Sequence, residues 1–388
     1  MKVLSLFSGI GGLDAGFERA GHALELGMEI DPLAQAFCRA QFPGAEVPVN
    51  GDVSTFTSAH LRRRFRTTAD DLLMLAGAPC QPFSRAGSWV NGSTPGLNDS
   101  RARSLECLVG AMDAVRPALL VFENVPAFAS SSGGGIDYLM DRLSKVQKRK
   151  SPLYEVSYAV LRAQDFGVPQ CRNRLFLVAS RIGRFDFEPL LKRERIARSA
   201  WDALEHIAAP EDLSSLKLRG KWAPLLATIP PGENYLWHTP RGGGKPIFGW
   251  RTRFWNFLLK LNPRLPSWTL TANPGSAAGP FHWDNRRLSL EELAALQTLP
   301  RKLDFSKVKY TDGVRLIGNA VPTMLAETLA REINVQLLGE QHVEVEQRSR
   351  AGSAPFLPSL ARVPTRFVPK RAPADHPGEG LGPLWQVS

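Results

Sequence analysis

No apolar stretch of the chain reaches the roughly 18 residues that a membrane-spanning helix needs. The opening MKVLSLFSG runs into a glycine-rich turn without the apolar region of a signal peptide. Neither a membrane span nor a secretory leader is expected, and a cytoplasmic protein is. Cysteine is also scarce. The four present, Cys38, Cys80, Cys107 and Cys171, lie far apart and form no C-x-x-C pair. That argues against both a disulfide framework and a zinc site, so no metal is expected, and it leaves a free thiol available as a nucleophile. Negative charge is the third deficit: 37 acidic residues face 48 basic ones, a net charge of +11. Such a surplus favours a polyanionic partner, nucleic acid before membrane, because phosphate contacts release counterions. A basic soluble protein with no such partner fits the charge equally well.

What is present is a rhythm of strands and helices. The 388 residues suggest two domains, or one with an insertion, and 43% hydrophobic residues suffice for a core. VLSLF, ALELGMEID, DLLMLAGAP and ALLVFENV read as buried strands. PLAQAFCRAQF, with proline in its first turn, and SLECLVGAMDAV read as helices between them. That alternation predicts an α/β fold with a doubly wound, mostly parallel sheet. YEVSYAVLRAQDFG and RLFLVAS predict two later strands pairing antiparallel at one edge. From about Ile182 the rhythm is lost in a stretch rich in Trp, Pro, Gly and Arg, which predicts a smaller irregular domain over 182–265. Helices return in SLEELAALQTLP and GNAVPTMLAETLAREI. The expected division is 1–181, 182–265, 266–338 and a Pro/Gly-rich, mostly disordered tail over 339–388.

Three features carry chemistry. FSGIGGLDAG follows the first strand and opens a helix, so its backbone can approach a ligand closely. Seventeen positions after Gly12 comes Glu29, and GDV at 51–53 offers Asp52. The spacing lacks the third glycine of the dinucleotide fingerprint, which favours an adenosine ligand without pyrophosphate; a purely structural turn is the alternative. Secondly, the strand LLMLAG delivers Cys80 to the carboxyl edge of the sheet between Pro79 and Pro82, which stiffen the turn. The polar, glycine-rich run after Ser84 has the character of a closing loop. Thirdly, Glu123 of FENV should emerge at the same edge, desolvated enough to retain a proton, and PQCRNR carries Arg172 and Arg174 at i, i+2, on one face if extended. A buried structural thiol, a capping carboxylate and an edge salt bridge are the plain alternatives.

The order FSGIGG, ME at 28–29, GDV, GAPCQPFS, ENV, VPQCRNR, the LT of SWTLTANPG and GNAVP resembles the C5-cytosine DNA methyltransferases, over about residues 1–181 and 266–335. The resemblance implies a DNA (cytosine-5-)-methyltransferase that uses S-adenosyl-L-methionine, releases S-adenosyl-L-homocysteine, and flips its target base out of double-stranded DNA. It implies that Cys80 adds to C6 of cytosine, that Glu123 protonates N3, and that Arg174 with Arg172 stabilises the developing charge. The cofactor positions would be Phe7, Gly9, Gly12, Glu29, Asp52, Val53, Pro79, Leu105, Asn319 and Ala320. Ile30 stands where many relatives carry an aromatic residue. DNA contacts would come from Gln81, Ser84 and Arg101, with Arg103 near a phosphate, and from Arg241, Lys245, Arg251 and Arg253 in the recognition domain. The tryptophans there, Trp250 and Trp255 among them, suit base or phosphate contacts less well than that domain's own core. A cognate restriction endonuclease is a partner the resemblance allows, a monomer associated with the nucleoid is expected, and no code gives the target sequence. Two further readings are a tRNA cytosine-5 methyltransferase and a catalytically silent DNA-binding relative. The roughly 80 residues before SWTLT favour DNA over tRNA.

Overall fold

Four apolar runs form the parallel centre of a six-stranded sheet. The computed structural model describes residues 1–55, 58–65, 69–79, 103–130, 135–148, 151–196, 198–208, 212–249 and 254–341. The strands are β1 (Lys2–Leu6), β2 (Ala23–Met28), β3 (Leu72–Ala76), β4 (Leu119–Asn124), β5 (Glu155–Arg162) and β6 (Asn173–Ser180), in the order β2-β1-β3-β4-β6-β5. Every residue of β3 and of β4 is buried. Strands covered on both faces need continuous apolar sequence rather than alternation, which is what LLMLA and LLVFEN supply. Truncating a leucine there to alanine costs about 2–5 kcal/mol. At the edge, β5 alternates instead: Tyr158 and Val160 are exposed and Leu161 is buried.

Pairing fixes where the ends go. Leu6 is level with Met28 and Ala76, and Ala76 with Phe122, so four carboxyl ends gather at one edge. β6 runs antiparallel to β4, with Glu123 opposite Phe176, and β5 antiparallel to β6, as the sequence predicts. The start of β6 therefore lies at the edge where β4 ends.

The longer helices that precede β5 are α1 (Gly12–Arg19), α2 (Pro32–Gln41), α3 (Ser58–Phe65), α4 (Arg103–Val115) and α5 (Gly135–Lys145). Asp31 caps α2 by accepting from the Leu33 and Ala34 amides, with Pro32 at the first helical position. The helix Thr323–Leu338 packs on α1. A Cβ on Gly16 would come within 2.4 Å of Ala326, so glycine permits the close crossing. Thr323 Oγ1 donates to the Gly12 carbonyl at 3.2 Å. GNAVP is not the start of that helix. A separate helix, Tyr310–Asn319, ends there, and the next begins after Pro322, which lacks the amide to continue it.

The chain divides into two compact units. The first holds 1–162, 173–194 and 320–341; the second holds 163–172 and 195–319. These bounds differ from the expected 182–265. The second unit claims residues 266–319 because Ser267 pairs with Gln170, and Gln170 Nε2 donates to Gln297 Oε1 at 3.1 Å. Its interior is aromatic: Tyr235 and Phe281 are buried with Leu226, Ile229 and Leu258, and Trp222, Trp237, Phe248 and Phe257 pack against them. Trp255 meets Trp268 at 4.8 Å. Tryptophans here build the core, as one of the two readings held. Trp250 lies outside the described residues, as does the tail from 342.

Candidate active site

The loop after β1 and the end of β2 form one hydrogen-bonded piece. Phe7, Gly9 and Gly11 all have left-handed φ, at 59°, 58° and 81°. For Phe7 that backbone is sparsely populated, a state that recurs at ligand sites. Among the described residues nothing lies within 4 Å of the position a Cβ on Gly9 would take, so they leave the surface above it open. Glu29 ties the loop down: its Oε2 accepts from the Gly9 amide at 2.7 Å, and its Oε1 from the amides of Ile30 and Asp31 at 2.8 and 2.9 Å. Gln35 Nε2 holds the Glu29 carbonyl at 2.6 Å. Gly51 passes so close that a Cβ there would sit 2.3 Å from the same oxygen. Gln35 and Gly51 lie outside the sequence-derived set. Only the fold brings them to Glu29.

Beside this cradle Ile30 is 68% exposed, an apolar face next to a carboxylate. Asp52 turns its own loop by accepting from the Ser54 amide at 2.8 Å. Val53 and Leu105 are buried together in the main core, with Phe7 packed against it. The open backbone at Gly9, the Glu29 carboxylate and the apolar Ile30 suit an adenosine-bearing ligand. Of the other expected cofactor residues, Gly12 opens α1, Pro79 is exposed after β3, and Ala320 belongs to the first unit. Asn319 closes a helix of the second unit.

At the same edge stands a buried ion pair. Arg174 Nε lies 2.9 Å from Glu123 Oε1, with side chains 13% and 10% exposed. Leu161 opposite Arg174 and Phe176 opposite Glu123 set this meeting. Glu123 Oε2 is 4.0 Å from where a Cβ on Gly77 would be, and Asn124 Nδ2 donates to the Ala78 carbonyl at 3.3 Å. Glu123 and Asn124 thus flank residues 77 and 78, at the end of the segment that leads to Cys80. Cys80, Gln81, Ser84 and Arg101 themselves lie outside the described residues, as do Arg251 and Arg253.

The carboxyl group is as buried as the sequence predicts, and it faces a guanidinium. The two arginines find different partners. Arg172, 1% exposed and just ahead of β6, donates to the carbonyls of Leu270 and Gly318 at 3.0 and 2.7 Å within the second unit. The i, i+2 rule needs an extended strand, and β6 begins only at Asn173. The remaining thiols are ill suited to attack. Cys38 and Cys171 are buried and Cys107 half-buried, and desolvation pushes the Cys38 and Cys107 thiols up.

Comparison with known proteins decides the family. The family of C-5 cytosine-specific DNA methylases matches residues 1–227 and 232–335. The chain belongs to it. The type II methyltransferase M.SacI of Streptomyces achromogenes is 33% identical over 374 residues, covering 87% of this chain and 93% of that protein. M.FnuDI of Fusobacterium nucleatum is 28% identical, covering 90% and 99%. Among solved structures, the S. pombe Dnmt2 methyltransferase superposes with a TM-score of 0.60 at 17% identity, over 86% of this chain and 98% of that one. That likeness is one of fold. Members of the family are S-adenosyl-L-methionine-dependent, and the ligand inferred from Gly9, Glu29 and Ile30 is of that chemistry. Among the described residues no cluster of His, Cys, Asp or Glu could hold a metal ion, and no helix is long and apolar enough to cross a membrane.

Proposed function

We propose that this DNA cytosine-5 methylase acts through a covalent bond between Cys80 Sγ and C6 of a cytosine flipped out of double-stranded DNA. The observation that carries the reading is the Glu123–Arg174 pair at the end of β4, beside the Gly77–Ala78 segment that leads to Cys80. C5 of cytosine is a poor nucleophile. Addition of the Cys80 thiolate to C6 turns the ring into an enamine whose C5 can attack. The negative charge so created moves to N3 and O2. A proton delivered from Glu123 to N3 removes it, and Arg174 stabilises what develops at O2. The arriving base would share the Arg174 guanidinium with Glu123.

Phe7, Gly9, Glu29, Ile30, Asp52 and Val53 would hold S-adenosyl-L-methionine, Glu29 by exchanging amide partners for ribose hydroxyls. When bound, that cofactor supplies the methyl group that C5 takes up. Loss of the C5 proton to a base, followed by expulsion of Cys80, restores the aromatic ring. Arg172, whose guanidinium donates to the Leu270 and Gly318 carbonyls, would act in this scheme by position beside Arg174 in the chain. The second unit would bind the DNA and choose the site. The named relatives are type II methyltransferases, which supports a sequence-specific DNA substrate.

Incubating the full chain with unmethylated DNA and labelled S-adenosyl-L-methionine, then mapping 5-methylcytosine, tests the reading. The wild type should mark one short sequence, and Cys80→Ser should transfer no methyl group while still binding DNA. Turnover by Cys80→Ser at the wild-type rate would end this chemistry.

A further inference from the structure

The second unit contains a loop built with unusual care. Residues 239–247, TPRGGGKPI, carry three consecutive glycines that lie flat on Trp237. A Cβ at Gly242 would fall 2.1 Å from the Trp237 carbonyl oxygen, at Gly243 2.3 Å from the indole ring, and at Gly244 2.6 Å from it. Glycine is used here for close approach rather than for freedom. The loop is also tied along its length. Gly242 donates to the Thr239 carbonyl and Gly244 to that of Trp237, both at 2.9 Å. Ile247 and Phe248 donate to the His238 carbonyl at 2.8 and 2.9 Å. The buried His238 ring bonds the Lys245 carbonyl through Nδ1 at 2.9 Å and Thr228 Oγ1 through Nε2 at 2.8 Å. Trp237 itself rests on the aromatic core of the unit.

What this scaffold presents to solvent is Arg241, Lys245 and Ile247, the last 49% exposed, with no acidic residue between 239 and 249. A loop ordered beforehand loses little entropy on binding. Its groups differ in use. The arginine fork matches paired acceptors on a base edge, the lysine is a point charge suited to phosphate, and an aliphatic tip suits a thymine methyl. We propose that loop 239–247 is the element that reads the target sequence, with Arg241 on a base edge in the major groove and Lys245 on a neighbouring phosphate. Trp237 and His238 are positioning residues that hold this reading surface in shape. The inference rests on the double-stranded DNA substrate proposed above, and narrows recognition from a whole unit to nine residues.

The test maps methylated sites in a randomised DNA library with full-length variants whose folding is checked by circular dichroism. Arg241→Ala should lower discrimination at one position of the site about 5- to 150-fold, the value of one bidentate base contact. Lys245→Ala should weaken binding to all sequences alike and reduce the slope of log affinity against log salt by about one. Gly243→Ala removes no contacting group, yet it should relax the same position as Arg241→Ala, because the loop must lift from the ring. Trp237→Phe, which keeps a flat platform, should retain more discrimination than Trp237→Ala. Unchanged discrimination in Arg241→Ala, or in a folded Gly243→Ala, would overturn the proposal. A wild type that methylates no DNA would instead end the reading on which it rests.

Discussion

The two units solve the same problem of placing functional side chains by opposite means. In the first, a parallel sheet brings the ends of β1, β2, β3 and β4 to one edge, so Phe7, Glu29, Pro79 and Glu123 converge because each follows or ends a buried strand. In the second, the described residues form isolated bridges such as Lys217–Arg286 and Phe257–Ala278 around packed aromatic rings. Position there comes from individual contacts: a glycine against a ring, a histidine between two oxygens. On the function proposed above, topology would serve reaction chemistry, which must be the same at every site, and contact-built loops would serve recognition, which can be altered one residue at a time.

The sharpest way to probe the sheet edge is Glu123→Gln, which keeps the shape of the side chain but removes the ionisable group. Single-turnover methylation should slow about 10²- to 10⁴-fold, the usual contribution of a positioned proton donor. A loss below about tenfold would mean that Glu123 serves only to anchor Arg174.

In the second unit the comparable group is structural. Arg286 makes two 2.7 Å bonds to Glu292, both side chains are buried, and Glu292 also completes a capping box with Ser289. Glu292→Ala strands the guanidinium, at a cost of about 3–5 kcal/mol. Seven of the nine tryptophans fall within 195–319, so fluorescence-detected urea unfolding should report a lower midpoint. An unchanged midpoint would show that this unit does not depend on the pair.

A subtler probe lies under the cofactor loop. Asp14, fully buried in the first turn of α1, finds no hydrogen-bond partner for either oxygen among the described residues, and burial pushes its carboxyl up from 3.8 to about 7. The native state keeps a proton that the unfolded chain has released, so stability falls as pH rises from about 4 to about 7 and is level above. Asp14→Asn should therefore stabilise the protein at about pH 8 by about 4 kcal/mol and hardly at all near pH 4. Urea midpoints at the two pH values check this; equal gains at both would place the proton elsewhere.

The contrast also explains what could be read from sequence. ENV and the strand patterns announce the sheet edge because each is local in the chain, and the antiparallel pairing of β5 with β6 follows from their lack of an intervening helix. Spacing alone does not separate Arg172 from Arg174; their partners do, the Leu270 and Gly318 carbonyls for one and Glu123 for the other. Helices Ser58–Phe65, Gly135–Lys145 and Tyr310–Asn319 are absent from the sequence reading. The third shows its period in Val314, Leu316 and Ile317, but sits behind a polar turn. The Trp237 platform has no sequence signature beyond three glycines, which would more often signal a flexible linker.

The most direct test of the central claim uses duplex oligonucleotides with 5-fluorocytosine at the mapped target position and the cofactor present. Fluorine at C5 cannot leave as a cation, so the enzyme should be caught as a stable covalent complex whose peptide map carries the nucleotide on Cys80. No complex on a duplex whose unsubstituted form is methylated, or a complex mapped to any other residue, would contradict the account.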